Sequence, residues 1–373
     1  MDGGSERPRA PRKEATARAI ALFRRFERVA ERIPWTPLGE LPTPVERLPI
    51  DDRPGSEAAG EIWVKRDDLT GRVYGGNKVR KLEFLLGAAV DAGARRLVTG
   101  GAIGSHHALA TTIYGRLLGL DSTLVLFPQP VTPHVRDVLR LHHAFGAELR
   151  FSPRMVRLPL DLRRARKVHR GAPAALIAPG GSDEIGALGY VDAALELAEQ
   201  VERGEAPPPD TVYAAAGTLG TVVGLAIGFG LAGLATRVVG VRVTSRLVVN
   251  RLAVRSLARR TLGRLARAGA PAHSLADVTS RIELRHGRIG RGYGHPTEDG
   301  RRARERLERV GLRLDPTYTA KVAAELFAAA DSDRGPEGVR LFWHTLSAAL
   351  PTERAASVGP HDLPRPFRRF LAE

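Results

Sequence analysis

The chain contains no cysteine. That absence excludes disulfides, thiolate nucleophiles and cysteine-ligated metal, and it agrees with a reducing compartment. Aromatic residues make up only 5% of the 373 positions, and they are not interleaved with basic ones, so the stacking platform of a single-strand-binding protein is missing. No apolar run approaches the roughly 18 residues that a membrane span requires. The first residues, "MDGGSERPRAPRKEATARAIALF", carry an apolar stretch too short and too interrupted for a secretory leader, and the expected location is the cytoplasm. Lysine is scarce as well. Of 57 basic residues only Lys13, Lys65, Lys78, Lys81, Lys167 and Lys321 are lysine, and two of these stand three apart in "VYGGNKVRKLEFLL".

The formal charge of +16 would ordinarily suggest nucleic acid or an anionic surface as partner. Here the arginines are scattered through segments such as "RRARERLERV" and "RLAVRSLARRTLGRLARA", interleaved with apolar residues at helical spacing. That distribution is a habit of composition, and neither a nucleic-acid nor a membrane partner is expected. The length suffices for one large domain or two modest ones, each with a real core.

Residues 1–12 are polar and rich in Pro, Gly and Arg, and read as disordered. A charged amphipathic helix is expected to follow, to about Glu31, and then a proline-punctuated extended entry, "IPWTPLGELPTPVERL". Beyond it, short apolar or β-branched runs alternate with segments of helical period: "IWVKR", "RLVTG", "STLVLF", "AALIAP", "TVYAAA" and "RVVGVRV". Such alternation predicts an α/β fold with mostly parallel sheets and helices on both faces. No internal repeat and no low-complexity linker interrupts it.

Five stretches offer chemistry. Gly75 and Gly76 precede a helix that Lys78 begins, with Lys81 on the same side one turn later. An amine can lose its proton and attack a carbonyl, whereas a guanidinium cannot at any accessible pH, which gives an arginine-rich chain a reason to keep lysine at these points. Lys81 would then favour an anionic group and lower the proton affinity of Lys78. In "TGGAIGSHHA", Ser105, His106 and His107 open a helix whose free N–H groups suit a carboxylate, although Ser105 could equally be an N-cap. Adjacent histidines on a helix point apart, so no metal site is expected there, and His142 and His143 read as helix-surface or boundary residues. The loop Gly217-Thr218-Leu219-Gly220-Thr221 lies between a strand and an apolar helix, as an anion cradle does, without the spacing of a Walker loop or of GxGxxG. Tyr293 and Tyr318 stand beside glycine or a proline turn, and "LFWHTLSAAL" is a buried strand ending in His344 and Thr345.

Taken together, these stretches resemble the tryptophan-synthase-β-type (fold type II) pyridoxal-phosphate enzymes, and within them the D-cysteine desulfhydrase and 1-aminocyclopropane-1-carboxylate deaminase family. The resemblance runs from about residue 35 to 347 and is carried by "KRDDLTGRVYGGNKVRKLEFLL", "TGGAIGSHHA", "APGGSDEIGALGYVDAALE", "AGTLGT", "GYGHPTEDG" and "DPTYTAK". It implies pyridoxal 5'-phosphate as cofactor, held covalently by Lys78, with Lys81 and the 217–221 loop on the phosphate side and with Asn77 and His106 also at the cofactor. Ser105, with His106 and His107, would meet the substrate, Ser105 taking its carboxylate and sharing in proton transfer. Tyr293 and Tyr318 would be the paired active-site tyrosines. The deaminase branch has glutamate after the second tyrosine; this chain has Thr319, and a hydroxyl partner from Thr319 or Thr345 would leave the pyridine nitrogen neutral. That favours β-elimination from a small D-amino acid such as D-cysteine over opening a cyclopropane ring. The family's asparagine after the serine is His106 here, and its double glycine after "HT" is Leu346-Ser347. The resemblance further implies a homodimer and three parts to the chain: an N-terminal tail and helix (1–30), a large cofactor domain (31–81 plus 187–373) and a small α/β domain (82–186). The readings weighed against this one are a cyclopropane deaminase and a non-catalytic cofactor- or nucleic-acid-binding protein.

Overall fold

The computed structural model describes residues 19–49, 61–168, 173–331 and 338–371. Residues 1–12, and the start of the expected N-terminal helix, lie outside these. The described part of that segment forms two short helices in place of one, Ala21–Arg25 and Glu27–Arg32, broken at Phe26, whose ψ of 84° leaves the helical region. Their apolar side is buried, and the Leu22 N–H donates to the buried Asp192 carboxylate at 2.8 Å, which ties the segment to the core.

Ten strands are present among the described residues: β1 (Val45–Arg47), β2 (Ile62–Lys65), β3 (Arg96–Ala102), β4 (Asp121–Phe127), β5 (Glu148–Phe151), β6 (Ala174–Leu176), β7 (Thr211–Ala216), β8 (Arg237–Arg242), β9 (Ile282–Arg285) and β10 (Arg340–Trp343). They form a six-stranded sheet in the order β1-β2-β10-β7-β8-β9 and a four-stranded sheet in the order β5-β4-β3-β6. Every pairing is parallel except β1 with β2. The mostly parallel α/β class expected from the alternation is therefore the class observed. In β3 and β4 the register runs from Arg96 opposite Asp121 to Ala102 opposite Phe127. That register carries the glycines of "TGGA" to the carboxyl end of β3, and ligands of parallel α/β sheets lie at carboxyl ends.

Helices Leu188–Glu202 and Gly220–Ala232 form the centre of the larger core and are buried nearly all round. Their backbones can meet because Gly224 has no side chain: a Cβ there would stand 2.5 Å from the Ala187 carbonyl oxygen and 2.5 Å from Tyr190 Cβ. This contact fixes the helix whose first two residues, Gly220 and Thr221, end the 217–221 loop. Helix Lys78–Asp91 is anchored by a buried ionic group. Arg80 Nε donates to Asp67 Oδ1 at 3.0 Å, and its Nη1 and Nη2 donate to Glu196 at 3.0 and 2.9 Å. Lys65 donates to Glu196 Oε1 at 2.6 Å, and the second oxygen of Asp67 accepts from Tyr190 and Trp343, each at 2.7 Å. Lys65 is thus a structural lysine inside the core.

Candidate active site

The turn before Lys78 is built by glycine. Gly76 has φ +84°, and a Cβ there would lie 2.6 Å from the Thr345 carbonyl oxygen, so both its conformation and its space exclude a side chain. The Asn77 N–H donates to that same carbonyl at 3.2 Å, and the Gly75 N–H donates to Ser347 Oγ at 2.7 Å. The exit of β10 is in this way clamped to the entrance of the Lys78 helix. The Leu346-Ser347 departure is part of the clamp.

A cavity of about 480 Å³ opens beside this turn, within the range of small-molecule sites. It is lined by Asn77, Lys78 and Lys81 from one turn, by Ser105, His106 and His107 from the next helix, and by Gly217, Thr218, Leu219 and Thr221 from the loop after β7. Tyr293, Tyr318 and Thr345 complete it from the C-terminal half. Two of the expected residues are not in the lining. Gly220 lies behind the loop, its N–H donating to Ser182 Oγ at 3.2 Å. Thr319 is buried with its hydroxyl donating to Asp315 Oδ2 at 2.7 Å, so of the two hydroxyls expected at a pyridine nitrogen only Thr345 reaches the cavity.

Burial holds the Lys78 ammonium down to about 8, partly opposed by the Asp315 charge. For Lys81, burial again acts first and the neighbouring Lys78 second, and the proton affinity falls well below the ordinary value. Lys81 Nζ donates to the Gly180 carbonyl at 3.3 Å and to Ser182 Oγ at 3.2 Å, and a Cβ on Gly220 would come within 3.0 Å of it. This lysine therefore stands against the 217–221 loop. In that loop Leu219 has φ +70°, the one positive φ at a non-glycine residue among those described, and functional loops hold such conformations at a cost. The turn is braced by Ser182 Oγ at 2.7 Å from Thr218 Oγ1, by Asn77 Nδ2 donating to Thr221 Oγ1 at 3.3 Å, and by Thr244 Oγ1 donating to the Gly217 carbonyl at 2.9 Å.

Ser105 is both things its position allowed. Its Oγ caps the helix by accepting the Ala108 N–H at 3.2 Å, and it lines the cavity with its own O–H proton free to donate. The Tyr293 and Tyr318 hydroxyls are 2.6 Å apart, and burial raises the proton affinity of both, so the pair stays protonated at neutral pH. His106 does not donate into an empty wall: its Nδ1 meets the Tyr74 hydroxyl and its Nε2 lies 2.9 Å from His134 Nε2. His142, expected at a surface or boundary, is fully buried with Nε2 at 3.2 Å from the Ile103 carbonyl, and burial holds it neutral with a pKa of about 3.

Three lining or supporting residues escaped the reading of the sequence. Asp315 accepts the N–H groups of Thr317, Tyr318 and Thr319 at 2.9, 2.6 and 3.1 Å and so sets the Tyr318 turn; an Asp ahead of a Pro-containing turn was the available signal. Ser182 joins Lys81 to the cradle, and Tyr74 completes the partners of His106.

Residues 36–345 match the family model of pyridoxal-phosphate dependent enzymes. The chain belongs to the pyridoxal-phosphate-dependent enzymes. Among its relatives in this family is the D-cysteine desulfhydrase of Klebsiella pneumoniae subsp. pneumoniae, 35% identical over 324 residues, which cover 84% of this chain and 94% of that protein. Another is the nocardicin C-9' epimerase of Nocardia uniformis subsp. tsuyamanensis, 34% identical over 336 residues, 88% of this chain and 97% of that one. Of solved structures, an ACC deaminase homologue superimposes with a TM-score of 0.72 at 31% identity, covering 85% and 93% of the two chains. A T.th. threonine deaminase shares the fold, with a TM-score of 0.60 at 20% identity, covering 88% and 98% of the two chains. The donor set of the cavity fits the family's cofactor. Lys78 offers an amine of low proton affinity for an aldehyde, and Lys81, Thr218, Thr221 and the N-terminus of helix Gly220–Ala232 offer the hydrogen-bond donors a phosphate needs.

Proposed function

We propose that this pyridoxal-phosphate-dependent enzyme is a lyase that eliminates the β-substituent of a small D-amino acid such as D-cysteine, releasing a keto acid, ammonia and sulfide. The observation that carries the reading is the convergence on one cavity of a lysine amine with a pKa of about 8, a serine at a helix N-terminus and a hydrogen-bonded tyrosine pair. When bound, the cofactor supplies the conjugated ring that takes up the electron pair left by the α-proton. Lys78 holds its aldehyde end, and Lys81 with the 217–221 loop holds its phosphate. Ser105 and the N–H groups of its helix receive the substrate carboxylate. Lys78 Nζ, once free, takes the α-proton, a task suited to a group whose proton affinity lies near neutrality. The elimination needs no more of the ring than a hydroxyl partner such as Thr345 provides.

The D-cysteine desulfhydrase relative supports the substrate, and the lack of a glutamate after Tyr318 counts against ring opening of a cyclopropane. Purified holoenzyme given D-cysteine should yield pyruvate and sulfide in equal amounts, and Lys78→Ala should abolish both that release and the borohydride-reducible adduct. Failure of the wild type to release pyruvate from any small D-amino acid would end the elimination reading. Ammonia with 2-oxobutyrate from the cyclopropane amino acid would favour the deaminase instead, and exchange of the α-proton without elimination would favour an epimerase. The reading includes a homodimer, a cytoplasmic location, and a division into residues 31–81 plus 187–373 and residues 82–186, the latter supported by the two separate sheets. No helix among the described residues is long and apolar enough to cross a membrane.

A further inference from the structure

His106 stands where the resembled family has asparagine, and the exchange does more than fill space. An asparagine amide can donate or accept but cannot pass a proton from one end to the other, whereas an imidazole can, because its two nitrogens exchange roles. Both nitrogens of His106 have partners: Nδ1 meets the Tyr74 hydroxyl, and Nε2 lies 2.9 Å from His134 Nε2. The three rings run as a near-parallel series, Tyr74 and His106 inclined by 24° and His106 and His134 by 28°. Tyr74 is held in place by its own carbonyl, which accepts the Tyr114 hydroxyl. Tyr74 and His106 line the reaction cavity, while His134 is half-buried and lines a different cleft of about 600 Å³, beside Glu298 and Arg301.

Two facing Nε2 atoms at this distance share one proton: two would collide, and none would leave lone pairs opposed. Burial disfavours a second proton on either ring. Burial, first, and the neighbouring His134, second, hold His106 down to about 3; Lys78 and His142 push the same way and Asp315 opposes. Burial also lowers His134, with Asp315 and Asp137 opposing and Arg313 assisting.

Resting on the elimination reading, we propose that Tyr74, His106 and His134 form a proton relay between the reaction cavity and the second cleft, and that it protonates the departing β-substituent. In the loaded state His134 Nε2–H donates to His106 Nε2, His106 Nδ1–H donates to the Tyr74 oxygen, and the Tyr74 O–H faces the cavity. As the bond from Cβ to its substituent breaks, the substituent leaves with the electron pair and takes the Tyr74 proton. The Nδ1 proton of His106 moves to the Tyr74 oxygen, the Nε2 proton of His134 moves to His106 Nε2, and His134 Nδ1 takes a proton from hydronium or a buffer acid in the second cleft, which is left as water or the conjugate base. Each group ends neutral with one proton, in the opposite tautomer. Reset occurs by ring rotation or by the reverse transfer when the α-proton must leave. Tyr74 is the group that touches substrate; His106 and His134 act through it.

The test combines kinetics with a readout that needs no turnover. His134→Gln keeps a hydrogen-bonding partner for His106 but cannot carry a proton through, so it should lower kcat at least about tenfold with little change in KM. Added imidazole should restore the rate and the weakly basic pyrazole, of the same shape, should not. Wild-type kcat in His134→Gln, or equal rescue by both additives, would overturn the relay. In the cofactor-free protein with ¹⁵N-labelled histidine, a scalar coupling across Nε2–H···Nε2 should be visible and both rings should titrate below the ordinary value near 6.5. Titration of either ring near that ordinary value removes the relay whatever the substrate. A wild type inactive on D-cysteine but showing the coupling removes the substrate reading alone.

Discussion

An ammonium on Lys78 is hydrated by little more than a cavity, and the loss of bulk water brings its pKa from the ordinary 10.5 to about 8. Between those two values the unfolded chain binds the proton that the folded protein does not. The stability of the cofactor-free protein must therefore rise as the pH climbs from about 8 to about 10.5, and below 8 the full penalty is present. At about 1.4 kcal/mol per pKa unit the penalty is at most about 3.5 kcal/mol, reduced by whatever hydration the cavity returns. Replacing Lys78 with Met, which is of similar length and has no charge, should stabilise the cofactor-free protein by about 1–3 kcal/mol at pH 7 and by little above pH 10. Urea unfolding at the two pH values measures this, and an equal gain at both would show that the amine carries no penalty. A site that costs stability for its chemistry is the expected trade. Lys78 could be read from the sequence because only an amine can do what that position requires in a chain otherwise committed to arginine. Tyr74 and His134 could not be read so, since each acts through a partner distant in sequence, as Tyr74 does through His106, 32 positions away.

Between elements, the buried ionic group is what brings the Lys78 helix to its place. Lys65 on β2, Asp67 in the turn after it, Arg80 on helix Lys78–Asp91 and Glu196 on helix Leu188–Glu202 are all nearly inaccessible, and Trp343 at the end of β10 donates to the Asp67 carboxylate. Glu196 is the acceptor common to both cations, and Arg80 and Lys65 hold its carboxyl down to about 2 against the opposing effect of burial. Glu196→Ala leaves two buried cations with one carboxylate, and breaking a buried pair of this kind costs roughly 3–5 kcal/mol. The expected result is a lower thermal midpoint and weaker cofactor retention, because Arg80 lies on the same helix, two residues from Lys78. A variant with unchanged midpoint would mean that Arg80 and Lys65 find other partners. None of this was readable from charge patterning, since the four residues come from separate elements. The strands "IWVKR", "RLVTG" and "TVYAAA" were readable from their β-branched, apolar character. β1, β5 and β9 were not, because they are short sheet edges, mixing charged with apolar residues and leaving most of them only partly covered.

Across the whole molecule, the cavity draws its wall from both sheets: Ser105 and His106 follow β3 of the four-stranded sheet, while the 217–221 loop and Thr345 follow β7 and β10 of the six-stranded one. A ligand that touches both halves stabilises the arrangement in which they are together, by an amount set by mass action: about 2.7 kcal/mol at a hundredfold excess over Kd. At about 2.1 cal/mol/K of unfolding entropy per residue, a chain of 373 residues gains a little over 1 °C per kcal/mol, so saturating pyridoxal phosphate should raise the melting midpoint by about 3–4 °C. The stripped protein, lacking that bridge, should melt over a broader range as the two sheets part company. Pyridoxal without its phosphate reaches Lys78 but leaves Lys81 and the Thr218–Thr221 turn without their anion, and its shift should be smaller. Lys78→Ala keeps the phosphate contacts and loses the covalent one, and should also retain part of the shift. Differential scanning of the four combinations separates the two contributions. Equal midpoints with and without pyridoxal phosphate would mean that the cavity between the sheets does not hold it, and the coupling argued from the shared wall would fail with it.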